Sequence, residues 1–457
     1  MTGFSARRLA TMIAVCSASL LAFMSIGAAG ASATTTIKGQ GSTLQEIAQN
    51  QIFIPNFNST HVGQIETYTG TGSGAGLEAF GNGSHACEEQ IWEYVGTDQP
   101  PNAMQKKAIE EKCPATLGSG PTVLSIPTLQ AAVAIVYHLP PNCTSVSSKA
   151  KKQTSHLALN GKTVEEIFAG GAPEGTGHKT KWNELTDEGD ALHGAGCETT
   201  HEIVRVVREE GSGTTAITKK WLNQINPTTE WKVPGFKAPE KEFQTWNELA
   251  ENNKNLNWPN ETATNIVRGH NTSGVLAKVE ATPGSIGYAN LANAYEEGAF
   301  KNGGDLGWAV IENKAGKKPT YANPELPGAK IAKSKPKKYK EGLSNCANEI
   351  YVNGVGAHFP PESTEDAWNE VTATPSEPNY PICGFTYDLS LKCFSQLESA
   401  HRPTPAQVSL VEEYFKYMVK EGPTLIKSGS DYLSLPTNAE PKKNVRKIAE
   451  EGTEKIC

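Results

Sequence analysis

Residues 206–215 read Val-Val-Arg-Glu-Glu-Gly-Ser-Gly-Thr-Thr, and a helix-like segment, residues 216–223, follows directly. With the β-branched run 203–207 in front, this is a strand, a glycine-rich turn and a helix in succession. Such a unit must bury one apolar face on a sheet and another on a packed helix layer, which favours an α/β architecture. The turn also has a chemistry. Backbone N–H groups in the first turn of a helix lack an intrahelical partner, and with the helix dipole they form an anion site. Arg208 adds a planar guanidinium, and Ser212 and Thr214 add hydroxyls, a set suited to a tetrahedral oxyanion. The plainer reading is an ordinary helix cap with a strand-end ion pair from Arg208 to Glu209 or Glu210.

The same pattern recurs. Gly39-Gln40-Gly41-Ser42-Thr43-Leu44-Gln45-Glu46 offers Ser42 or Thr43 as N-cap, with Gln45 or Glu46 three residues on as in a capping box. Tyr68-Thr69-Gly70-Thr71-Gly72-Ser73-Gly74-Ala75-Gly76-Leu77 leads into another helix-like run. Tyr94-Val95-Gly96-Thr97-Asp98-Gln99-Pro100 reads as a strand end and a turn carrying one carboxylate, for which an ordinary turn-forming Asp is the simpler account.

The first 33 residues have the pattern of a secretory leader: Arg7 and Arg8, an uncharged apolar run over residues 9–24, then Ala31-Ser32-Ala33 as a small-residue cleavage site. Cys16 lies inside the apolar run and reads as part of the leader. No later stretch is long and apolar enough to span a bilayer as a helix. Without the leader the chain holds 40 basic and 49 acidic side chains, a formal charge of −9. Capture of an anion must then come from local chemistry rather than from the global field, and general nucleic-acid binding is disfavoured.

Eight cysteines remain: Cys87, Cys113, Cys143, Cys197, Cys346, Cys383, Cys393 and Cys457. An even number on an exported chain suggests up to four disulfides. Connectivity does not follow from sequence, and Cys87 with Cys113 and Cys143 with Cys197 are local guesses. None forms a Cys-x-x-Cys pair and the histidines are scattered, so no metal site or redox motif is expected. Strand-like runs at 65–68, 92–95, 123–126, 131–137 and 203–207 alternate with helix-like ones, including 163–168, opened by Thr163, and the amphipathic 408–420. Residues 142–153, 223–258 and 314–340 read as surface elaborations, the last a solvated lysine- and proline-rich loop.

Taken in order, these motifs resemble the PstS family, the extracytoplasmic substrate-binding proteins of phosphate ABC transporters. The resemblance extends to Leu159-Asn160-Gly161-Lys162-Thr163, Lys181-Trp182-Asn183, Thr282-Pro283-Gly284-Ser285-Ile286-Gly287-Tyr288, Tyr380-Pro381-Ile382 and Asp431-Tyr432-Leu433-Ser434-Leu435-Pro436, and so covers most of the chain after the leader. It implies an α/β, two-lobed periplasmic-binding-protein type II fold with the ligand in an interlobe cleft. Lobe one would comprise residues 34–125 and 316–457, and lobe two residues 126–315. It further implies inorganic phosphate as ligand, membrane permease subunits as partners, a monomer outside the cytoplasm, in a periplasm or at the cell surface, no cofactor and no catalytic residue.

Carried over by position, the family's phosphate contacts fall on Thr43, Leu44 through its backbone N–H, Ser73, Asp98, Arg208, Ser212, Gly213 and Thr214. The family usually has phenylalanine where Leu44 stands, and its arginine-steadying aspartate falls here on Glu210. Phosphate keeps a proton near neutral pH and sulfate does not. A carboxylate acceptor, assigned to Asp98, therefore favours phosphate and meets sulfate with no hydrogen between them. A cell-surface interaction protein that keeps the fold and uses its inserts is one rival, and two others stand beside it. One is a same-fold binder of another oxyanion. The other is an extracytoplasmic phosphatase, for which Ser73 and Ser212 are possible nucleophiles; no Gly-x-Ser-x-Gly elbow is present, and Gly161-Lys162-Thr163 lacks the upstream glycine of a P-loop.

Overall fold

The computed structural model describes residues 34–82, 94–112, 121–144, 156–171, 179–187, 189–198, 201–233, 241–251, 255–296, 305–313, 320–325, 344–346, 350–352, 360–373, 379–397, 402–426 and 431–457. The leader, with Cys16, and the Cys87–Cys113 pairing lie outside the described residues.

The organising element is one long strand. Nine strands share the main sheet: β1 (Gly39–Gly41), β2 (Tyr94–Thr97), β3 (Val123–His138), β4 (Val204–Arg208), β5 (Ile266–Gly269), β6 (Ser285–Asn290), β7 (Leu306–Trp308), β8 (Cys383–Leu391) and β9 (Tyr432–Leu433). Their order is β5-β4-β6-β3-β8-β2-β1, with β7 and β9 also paired to β3. Every residue of β3 except His138 is buried, as its near-continuous apolar sequence requires of a strand covered on both faces. The sequence divides this strand into 123–126 and 131–137, because Pro127 cannot donate to a ladder. The structure keeps it whole. Pro127 pairs with Tyr387, Leu129 pairs with Thr386, and the register shift between them leaves Thr128 as the extra residue of a bulge.

The registers fix the geometry of the site. The first part of β3 pairs antiparallel with β8, from Val123 opposite Leu391 to Ala132 opposite Cys383. The second part pairs antiparallel with β6, from Val133 opposite Asn290 to His138 opposite Ser285. On one side β2 is antiparallel to β8 and parallel to β1, so β1 and β2 run with β3. On the other, β4 is parallel to both β5 and β6, so all three run against β3. The carboxyl ends of β1 and β2 therefore point toward those of β4 and β5, across the middle of the sheet.

Helices follow these strands: α1 (Ser73–Leu77), α2 (Gly161–Ala169), α3 (Gly213–Ile225), α4 (Asn271–Ala281), α5 (Pro405–Lys420) and α6 (Val445–Thr453). α5 starts earlier than the 408–420 pattern, because Thr404 and Gln407 form a capping box with Pro405 in the first turn. α2 is capped by Asn160, not by the expected Thr163: the Asn160 side chain accepts the Thr163 N–H at 2.8 Å, and asparagine three residues upstream is an equally good cap.

Two further expectations are corrected. The described part of residues 223–258 is no polar surface elaboration, since Trp231, Trp246 and Trp258 are buried. Trp258 packs between Phe168 and Tyr288, with ring centroids 5.5 and 5.8 Å away. Their lack of helical period comes from sitting in loops and short elements, where the tryptophans turn inward together with Val233, Leu249, Ala250 and Asn255. The capping box read into the first turn is also absent. The Gln45 amide donates to the Tyr387 carbonyl at 3.3 Å, and Glu46 accepts the Gly70 N–H at 3.2 Å. Disulfides join Cys143 to Cys197, as guessed, and also Cys346 to Cys383 and Cys393 to Cys457.

Candidate functional site

Each sequence-predicted site residue leaves the carboxyl end of a sheet strand or opens a helix. Ser42, Thr43 and Leu44 follow β1; Asp98 follows β2; Arg208 ends β4; Ser73 opens α1; Ser212 caps α3, whose first two residues are Gly213 and Thr214. Because the strand ends converge, these segments meet, in the crevice where α/β sheets place their ligands.

Asp98 is the hub on one side. Its Oδ1 accepts the Ser42 hydroxyl at 2.5 Å and its Oδ2 the Ser73 hydroxyl at 3.3 Å. Its own N–H donates to Ser73 Oγ at 3.1 Å. An ionised carboxylate offers about four lone-pair directions, so two hydroxyls leave acceptor capacity over. Burial pushes the Asp98 carboxyl up to about 6, against the pull of the Ser42, Thr386 and Ser73 hydroxyls and the Arg208 charge. A carboxyl in this range can change its protonation near neutral pH.

Arg208 is the hub on the other side. Its Nη1 donates to the hydroxyls of Thr43 at 3.1 Å and Thr272 at 3.3 Å, and those two hydroxyls are 3.1 Å apart. Its Nε donates to Glu210 Oε1 at 2.5 Å. Its Nη2 lies against the same Glu210 oxygen, is buried, and has no aligned hydrogen bond. Glu210 Oε2 accepts the Asn271 N–H at 3.2 Å, which ties the arginine's orientation to the start of α4.

The two hubs touch through glycines. A Cβ at Gly213 would fall 2.4 Å from Asp98 Cβ and 2.6 Å from Ser73 Oγ, so only glycine lets the α3 turn close on Asp98. The Gly74 N–H donates to the Gly211 carbonyl at 3.0 Å, and a Cβ at Gly72 (φ +96°) would lie 3.6 Å from Arg208 Nη2. The Ser212 side chain accepts the Thr215 N–H at 3.3 Å. The N–H groups of Gly213 and Thr214 have no carbonyl one turn back, and Thr214 Oγ1 is buried without a hydrogen-bond partner. Unpaired buried donors are costly, and here they cluster with a guanidinium and a carboxylate. Leu44 differs from the rest. It is fully buried, its N–H donates to Ser42 Oγ at 3.0 Å, and its carbonyl accepts from Asn290 and Tyr432, both at 2.8 Å.

Sequence reasoning missed three members. From sequence Ser42 reads only as a cap, yet its hydroxyl donates to Asp98. Thr272 follows β5 as Gly269-His270-Asn271-Thr272, the same strand-turn-helix pattern as the motifs that were noticed. Asn255, which bonds both the N–H and the carbonyl of Ser212, comes from the stretch read as elaboration. Among the described residues no group of three or more His, Cys, Asp or Glu side chains is placed to hold a metal ion.

A sheet that aims the carboxyl-end loops of two opposed strand sets at one spot defines a two-lobed α/β binding architecture. A family model described as a PBP superfamily domain matches residues 27–342, more than half of the sequence, and the chain belongs to that family. It is 25% identical over 407 residues to the phosphate-binding protein PstS of Methanocaldococcus jannaschii, covering 88% of this chain and 83% of that one. It is 28% identical over 297 residues to phosphate-binding protein PstS 3 of Mycobacterium tuberculosis, covering 65% of this chain and 63% of that one. Among solved structures, a high-affinity periplasmic phosphate-binding protein, PfluDING, aligns with a TM-score of 0.52 at 18% identity, covering 88% of this chain and 91% of that one. A phosphate-binding protein from Stenotrophomonas maltophilia aligns with a TM-score of 0.56 at 16% identity, covering 92% and 94%. The fold is thus the two-lobed periplasmic-binding-protein type II fold.

Proposed function

We propose that the chain binds inorganic phosphate outside the cytoplasm and delivers it to an ABC-type importer, acting as a binding protein rather than an enzyme. The observation that carries this reading is the juxtaposition of Asp98, as acceptor, with the donors of Ser73, Thr43, Arg208 and the first turn of α3. Donors from both sides would hold the oxygens of the anion, with charge-assisted hydrogen bonds of roughly 1.5–3 kcal/mol each offsetting its desolvation. Asp98 would accept the hydrogen that phosphate retains, and sulfate would meet the same carboxylate with no hydrogen between them. The names of the relatives and the disulfides, which suit an oxidising compartment, support the same reading. The leader at residues 1–33 and lobe boundaries near 125 and 315 belong to it too.

The test is titration of the protein lacking residues 1–33 with phosphate, sulfate and arsenate. Saturable phosphate binding with weak sulfate competition is expected. Absence of phosphate binding would defeat the reading, and turnover of a chromogenic phosphate ester would favour the phosphatase alternative. Stimulation of phosphate uptake by permease-bearing vesicles tests the delivery step; an uptake rate unchanged by the protein would remove it.

A further inference from the structure

The turn that bears Ser212 is bolted to the turn that bears Asp98 by an amide pair, Asn255 and Gln99, to neither of which a ligand contact is assigned. Asn255 is buried, with its backbone at φ +41°. Its Oδ1 accepts the Ser212 N–H at 3.2 Å, and its Nδ2 donates to the Ser212 carbonyl at 2.8 Å and to Gln99 Oε1 at 2.8 Å. Gln99 is the neighbour of Asp98, and its Nε2 donates to the Ala250 carbonyl at 2.9 Å. One asparagine thus uses its whole side chain to link the β4–α3 turn with the β2 turn, which belong to the two opposed strand sets.

The asparagine is itself fixed from below. Lys219, on α3 and fully buried, points its Nζ at the carbonyls of Asn255 and Asn257, each at 2.7 Å, and of Leu249 at 3.3 Å. The same ammonium sits 4.3 Å from the centre of the Trp258 ring, a cation–π contact. Burying an ammonium is costly unless its donors are met, so three carbonyls and an aromatic face at one lysine amount to a built anchor. α3 therefore holds the Asn255 backbone through Lys219, and Asn255 in turn holds the cap of α3.

We propose that Asn255, seated by Lys219, is a latch that clamps the Ser212 turn to the Asp98 turn through Gln99, and that it sets how slowly a bound anion leaves without touching it. The second half of this rests on the function proposed above; the clamp itself does not. Asn255 and Gln99 are positioning residues, since neither carries a group assigned to the ligand.

Two variants separate the arms. Asn255→Gly removes the amide while tolerating the positive φ. Gln99→Ala removes only the cross-cleft partner and leaves the Lys219 anchor in place. In ligand-free protein, hydrogen exchange of the 208–215 segment should speed up in Asn255→Gly, and that of the 96–100 segment in both variants; unchanged protection in these segments would overturn the clamp. With phosphate, stopped-flow dissociation should quicken about tenfold in each single variant, as loss of a buried amide bond implies, with the association rate little changed. The double variant should be no faster than Asn255→Gly alone, because one linkage is being broken. Additive effects, or an unchanged dissociation rate, would overturn the kinetic role. If the unaltered protein binds no phosphate, the functional reading fails, and the exchange measurement still decides on the clamp.

Discussion

In the proposed function Asp98 is the residue that would discriminate between anions, and its own titration follows from its burial. Its carboxyl is raised from 3.8 to about 6, chiefly by burial. Between these values the unfolded chain has lost the proton while the folded one keeps it. The native state then binds more protons, and stability falls as pH rises through this window. The contribution is fully present below about pH 4 and gone above about pH 6. Relative to Asp98→Asn, the ligand-free protein should therefore gain on the order of 2–3 kcal/mol between pH 7 and pH 4. Denaturant unfolding at the two pH values checks this, and a pH-independent difference would contradict it. Asp98→Asn should also narrow the preference for phosphate over sulfate in a competition assay. Arg208→Ala should weaken phosphate binding by about 2–5 kcal/mol, because the anion would lose its one guanidinium donor and Glu210 would be left without its counter-charge; calorimetry with unchanged affinity would count against the assignment.

At the scale of elements, the α3 turn has to reach Asp98, and Gly213 is what permits it. Alanine is otherwise acceptable at the first position of a helix. Gly213→Ala should therefore lower the melting temperature modestly, at an overpacking cost of about 1–3 kcal/mol, and lower phosphate affinity about tenfold or more. Calorimetry and thermal unfolding on one preparation separate the two effects; equal affinity for the variant would show that this close approach is not part of binding. Elements of this kind were legible in sequence wherever one local rule governs them. The strand ending at Arg208, the cap Ser212 and the turn at Asp98 all follow from β-branched runs, glycines and capping hydroxyls. What was not legible depends on distant partners. Nothing near Pro127 says that Thr128 can bulge out and let the strand continue, because that is decided by Thr386 and Tyr387 on β8. Nothing near Asn255 says that its amide meets Ser212 and Gln99, because the contact depends on where Lys219 and Trp258 anchor the loop. Thr272 is legible in sequence, since its turn repeats the strand-turn-helix pattern of the other site residues.

For the molecule as a whole, the antiparallel relation between the two strand sets turns four separate loops into one crevice, and β3 is the common thread. The resemblance read from the ordered motifs anticipated the architecture because those carrying Thr43, Asp98 and Arg208 sit at strand ends and those carrying Ser73 and Ser212 at helix starts, where the fold fixes their place. Disulfides tie connecting segments together, and Cys346–Cys383 ties one to the start of β8. The Cys143–Cys197 bridge spans 54 residues, and replacing both cysteines with alanine should cost about 4 kcal/mol in the chain-entropy account of cross-links. Denaturant unfolding checks this, and an unchanged midpoint would mean that the bridge constrains nothing in the unfolded chain. The central claim is that hydroxyls, backbone amides, one guanidinium and one proton-reading carboxylate enclose a single phosphate. Calorimetric titration at neutral pH, with excess sulfate present throughout, tests it most directly. The account predicts saturable one-to-one phosphate binding that sulfate leaves almost unchanged; no saturable heat, or a titration that sulfate abolishes, would contradict it.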